Sequence, residues 1–162
     1  MNARFHLRAL TLGCTLLLAP VGSAPAAPKA AASAVTLSEV DIQIYDRQKG
    51  ALVAMDAMSD PYGMNSDVFI VVKLQGKYEG EAPLKLTVLA SAPKESSEAT
   101  GDRPAWKKSQ VRELHALGEE GVTQVPFLLP YTCASKVKVT ATLTGPGIKA
   151  SKSVNTSFAC AE

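Results

Sequence analysis

From Val40 onward the chain alternates between apolar and polar positions. Val40, Ile42 and Ile44 are separated by Asp41, Gln43 and Tyr45, a period of two that predicts a strand with one buried face. Residues 67–74 hold the run Val68-Phe69-Ile70-Val71-Val72 between Asn65-Ser66 and Gly76, which predicts a central strand, apolar on both faces. Leu84, Leu86 and Val88 alternate with Lys85 and Thr87 after a turn expected at Gly80–Pro83. Val122–Leu129 reads as a further strand, and its Pro126 assigns it to a sheet edge or a bulge, because proline cannot donate to a ladder.

The C-terminal pair is the most informative. Val137, Val139, Ala141 and Leu143 share one face, with Lys136, Lys138 and Thr140 opposed, and Gly145-Pro146-Gly147 marks a turn. On the return strand Ile148, Ala150, Val154, Thr156 and Phe158 share a face, with Lys152 the odd member. Pairing Leu143 with Ala150, Val139 with Val154 and Val137 with Thr156 keeps apolar residues together. Carried on unbroken, that register sets Cys133 opposite Cys160, within disulfide reach for directly opposed residues.

Two segments are less patterned. Val111, Leu114 and Leu117 stand at helical spacing within 106–117, yet Gly118-Glu119-Glu120-Gly121 would make a hairpin turn to Val122, and this favours a strand. Lys94–Pro104 is polar and aperiodic, and reads as a long loop. About seven short strands separated by turns predict an all-β sandwich. Their order resembles an immunoglobulin-like or fibronectin-III-like module. The expected disulfide joins neighbouring strands, unlike the inter-sheet bond of antibody domains.

The N-terminus changes the picture of the whole. Arg4 and Arg8 precede an apolar run, 9–19, which gives way to small residues ending in Ser23-Ala24-Pro25-Ala26. This is the pattern of a signal peptide, 1–26, and its apolar centre falls short of the roughly 20 residues a membrane-spanning helix needs. Gly13-Cys14 lies mid-run and lacks the leucine a lipobox wants at Thr11. Residues 27–35 form an Ala/Pro-rich leader, and 36–162 remain for a single domain. The chain is expected to be periplasmic or secreted, with no membrane insertion after cleavage. Export also supports a disulfide for the two remaining cysteines. Of 17 Lys+Arg against 15 Asp+Glu, Arg4 and Arg8 leave with the signal, so the mature charge is balanced. A balanced chain argues against a nucleic-acid partner.

Little chemistry is assembled in what remains. The mature chain has one histidine, His115, no nucleophile signature and no Gly-rich phosphate loop, so neither a catalytic triad nor a usual zinc set can be built. No cofactor is expected. Met55, Met58 and Met64 offer soft thioethers to Cu(I), or they fill gaps at a bend. Asp60-Pro61-Tyr62-Gly63-Met64-Asn65-Ser66-Asp67 suits weak Ca²⁺ binding or a plain turn. Arg103, Trp106, Lys107 and Lys108 group the only Trp with cations, as a partner contact or as a ring plugging the core beside solvated lysines. Asn155-Thr156-Ser157 matches a glycosylation sequon. The expectation is an exported, non-enzymatic binding or interaction module whose partner is an envelope protein or a glycan. Copper handling by the methionines and a small carboxylate-based glycan hydrolase are the alternatives.

Overall fold

The computed structural model describes residues 35–60, 66–97, 101–118, 121–130 and 132–158. Every stretch of period-two alternation is a strand. β1 (Thr36–Asp46), β3 (Ser66–Gln75), β4 (Glu79–Ala92), β7 (Trp106–Ala116), β8 (Val122–Leu129), β9 (Ala134–Gly145) and β10 (Ile148–Phe158) correspond to the expected seven. The segment that left helix or strand open is strand β7. Three short strands were not legible: β2 (Ala51–Ala54), and β5 (Glu95–Ser97) with β6 (Gly101–Arg103). The last two pair with each other, so the segment read as a long loop carries its own small hairpin.

The strands form two four-stranded antiparallel sheets, ordered β2-β1-β3-β8 and β10-β9-β4-β7. Each contributes one face to a common core. Val68, Ile70, Val72 and Leu74 of β3 meet Leu84, Leu86 and Val88 of β4 and Val137, Val139 and Leu143 of β9, with Phe127 and Phe158 among the largest fully buried side chains. Parity explains the selection, since alternate residues of a strand point to opposite faces. The result is a β-sandwich. β8 is an edge strand, one of the two settings that Pro126 suits: Pro126 sits opposite Val71, and among the described residues nothing pairs on the far side of β8 in its sheet.

Three details depart from the sequence reading. Gly80–Pro83 is not a turn between strands but a bulge within β4, where the register with β7 jumps from Glu79↔Ala116 to Leu84↔Leu114. The outer face of β3 is not wholly buried: Val71 is covered, but Phe69 is half-exposed. The β9–β10 register runs as expected from Gly145↔Ile148 to Val137↔Thr156, then shifts, so that Phe158 faces Ala134. Ser135 and Lys136 both fall opposite Ser157, which is a β-bulge. The unbroken register that set Cys133 against Cys160 therefore stops at Val137, four residues short of Cys133. Cys133 is half-buried just before β9, and Cys160 lies outside the described residues.

Candidate functional site

The β9 bulge is the local irregularity around which a site is built. A bulge leaves backbone N–H groups without ladder partners, and here those donors converge on one carboxylate. Glu95 Oε1, reaching across from β5, accepts from Ser135 N at 2.8 Å, Ser135 Oγ at 2.7 Å and Lys136 N at 3.2 Å. Its other oxygen lies 3.6 Å from Arg103 of β6. The Glu95 carboxyl is accordingly held below its ordinary pKa, first by the Ser135 hydroxyl against an opposing desolvation, then by the two amides and the Arg103 charge.

Beside this anchored carboxylate opens a groove of about 920 Å³. Ser91, Ala92 and Pro93 from the end of β4, Ser135–Lys138 from β9 and Asn155–Ser157 from β10 line it. Cross-strand pairing aligns Lys107, Ser91, Lys138 and Asn155 in one row across all four strands of this sheet. Adjacent strands lie about 4.8 Å apart, so the two lysines flank Ser91 with Cα atoms roughly 10 Å apart. The groove offers hydroxyl, amide and ammonium groups on a rigid sheet, which equips it to hold a ligand by hydrogen bonds and charge.

The expected Trp106 cluster divides. Trp106 is half-buried and packs against the core, and its enclosed indole Nε1 has no hydrogen-bond partner among the described residues. Lys108 Nζ lies 5.4 Å from the ring centroid and donates to Thr132 Oγ1 at 2.6 Å, so its charge is engaged internally. Arg103 is committed to Glu95. Trp106 closes one end of the sandwich, and only Lys107, on the opposite parity of β7, points to the exposed face. The shared parity of Lys136 and Lys138 was legible in the sequence; that Lys107 stands on the same sheet was not.

The remaining candidates are placed as follows. Met55 and Met58 pack against the core at the 3-10 turn Met55–Ala57, and Thr156 Oγ1 donates to the Met55 sulfur at 3.1 Å; Met64 lies outside the described residues. Of the calcium candidates, Asp67 is held by Arg47 through contacts of 2.9 to 3.2 Å, and 61–65 lie outside the described residues. Among the described residues no three His, Cys, Asp or Glu are gathered as a metal site. His115 is exposed on β7.

Among the described residues, the carboxyls with displaced pKa values move downward. Asp46 is held at about 2, chiefly by the Ser59 hydroxyl, with desolvation opposing and the amides of Ser59, Lys49 and Gln48 adding. Asp102 is lowered by Ser96 and Lys94. No family model, curated protein or solved structure matches this chain.

Proposed function

We propose that this chain is an exported, non-enzymatic binding module of fibronectin-III-like, immunoglobulin-like architecture. It presents the outer face of the β10-β9-β4-β7 sheet to an envelope protein or a glycan. The observation that carries the reading is the groove beside the bulge, where Ser91, Lys136, Lys138 and Asn155 offer donors and acceptors on a sheet backed by the core. A ligand met by a rigid sheet needs little reorganisation of the protein, which keeps the entropic cost of binding low. The architectural assignment is supported by the strand order, with β1, β3 and β8 together and the last two strands beside β4 and β7. Export is supported by the basic, apolar and small-residue succession of 1–26, and a Cys133–Cys160 bridge suits an oxidising compartment.

Filling the groove tests the reading. Asn155→Trp places a large ring among the lining residues at an exposed position. Photocrosslinking in cells that make the protein, from a probe at Ser157, is expected to yield a defined adduct that Asn155→Trp abolishes. A probe at Gln124 on the opposite sheet should yield none. Equal adducts from both probes, or none from either together with a blank glycan array, would refute it.

A further inference from the structure

We infer that the ligand of this face is a linear acidic polysaccharide, a chain bearing carboxylate or sulfate groups. The inference rests on the binding-module reading above and adds the ligand's charge and shape. The balanced charge of the mature chain conceals an uneven distribution. At the paired outward positions of the β10-β9-β4-β7 sheet stand Lys85, Lys107, Lys138 and Lys149, with Lys136 exposed at the bulge, against one carboxylate at those positions, Glu113 beside Lys85. None of these five lysines is in an ion pair among the described residues. The ion-paired cations are instead Arg47, Lys49, Lys73, Lys94 and Arg103. On the opposite sheet Lys73 is matched with Glu39 and Arg47 with Asp67. One face is thus electrically satisfied, and the other carries an unneutralised excess that attracts anions.

The protein supplies its own example of the preferred group. At the end of this face the bulge donors already hold a carboxylate, that of Glu95, by three hydrogen bonds. Between the lysines the outward positions are mostly hydroxyls: Ser91 and Thr87 on β4, Thr140 and Thr142 on β9, Ser151 and Ser153 on β10. A ligand presenting anions at intervals and hydroxyls between them matches this face; a duplex or a lipid headgroup layer does not need the hydroxyl rows. Single-stranded nucleic acid is favoured by aromatic stacking platforms, and the paired outward positions of this face carry none. Four adjacent strands give a surface about 15 Å wide, along which an extended chain can cross the groove beside the bulge.

Equilibrium binding of the purified protein to polygalacturonate decides the matter. Neutral dextran, phosphatidylglycerol vesicles and a single-stranded oligonucleotide are measured in parallel, with backbone NMR shifts mapping the contact. Polygalacturonate is expected to bind, to weaken steeply with added salt, and to shift the amides of Ser91, Lys138 and Asn155. Lys107→Glu with Lys138→Glu should lower affinity on the order of tenfold or more, since both charges of the row are reversed. Lys77→Glu, a control lysine in the β3–β4 connection, should leave affinity within about twofold. Retention of the wild-type melting temperature shows that the double variant is folded. Equal affinity for dextran, indifference to the double reversal, or stronger binding to vesicles or oligonucleotide overturns the inference. A neutral glycan that shifts the Ser91 and Asn155 amides would overturn it while leaving the binding-module reading intact. Loss of both requires that no ligand perturb this face and that photocrosslinking be blank or equal from the two probes.

Discussion

The β9–β10 turn makes a sharp prediction about packing. Pro146 and Gly147 occupy the corner, and Gly147 has φ +71°, the pairing a type II turn requires. Gly145 before it has no such conformational need. Its importance is the space beside it: a Cβ built there would lie 2.4 Å from Leu84 Cδ2. Ordinary carbon contacts are about 3.5–4.0 Å, so more than about 1 Å must open. Leu84 is fully buried, and neighbouring side chains must shift for it to yield. Overpacking of this kind costs ~1–3 kcal/mol. Against that, the alanine reduces unfolded-chain entropy by ~0.4–1 kcal/mol. A net loss of about 1–2 kcal/mol in a domain of this size lowers Tm by roughly 3–10 °C.

Urea and thermal unfolding of Gly145→Ala would measure that loss, with an unchanged denaturant slope showing that the folded and unfolded states keep their compactness. A double-mutant cycle isolates the contact. In a Leu84→Val background both δ-carbons are gone, and Gly145→Ala should become nearly neutral or stabilising, a coupling of about 1 kcal/mol or more. An equal cost in both backgrounds would refute the argument, as would a Gly145→Ala protein that melts no lower than wild type.

Asp46 ends β1, accepting from Gln48 N at 2.9 Å, Lys49 N at 3.2 Å and Ser59 N at 2.7 Å, and so ties the β1–β2 turn to the segment after Met58. Its folded pKa is about 2 against an ordinary 3.8. The stabilisation it gives is therefore full above 3.8 and lost as pH falls toward 2. Asp46→Asn should melt lower at neutral pH and show a flatter Tm profile between pH 4 and 2, because its amide nitrogen cannot accept from all three donors; parallel profiles would contradict this. Glu95→Ala should release the β5–β6 hairpin from the bulge, speeding hydrogen exchange at the Ser135 and Lys136 amides while those of Val139 and Ala141 keep their protection. The Glu95 pKa is also lowered, so the same release is expected in wild type on acidification below the ordinary carboxyl range; unchanged exchange in either experiment would count against the contact. Intact mass before and after reduction should differ by two hydrogens if Cys133 and Cys160 are bridged, and the reduced protein should melt lower. A mass that reduction leaves unchanged would remove the bridge.

Local patterning was enough for the long alternating strands and for which side of each faces the core, but not for β2, β5 and β6, and it left β7 between strand and helix. Alternation is a property of the pleat, so Val137, Val139 and Leu143 reveal their burial without knowledge of what they meet, and Pro126 reveals an edge because a missing N–H is a local fact. The same reasoning gave the β9–β10 register as far as Val137↔Thr156. It failed at Ser135 and Lys136, because the residues paired one-to-two at a bulge satisfy the same alternation rules as an unbroken strand. For Trp106 and its flanking cations the sequence supports two readings, a partner contact or a ring plugging the core beside solvated lysines, and local pattern does not choose between them. In the fold the ring turns to the core and the Lys108 ammonium to Thr132, twenty-four positions away. Above all, the row Lys107–Ser91–Lys138–Asn155 draws one residue from each of four strands. Its composition depends on which strands become neighbours, and long-range packing of the two sheets decides that. Charge counted along the chain could not show that Lys73 pairs with Glu39 on one sheet while Lys85, Lys107, Lys138 and Lys149 share the outer face of the other.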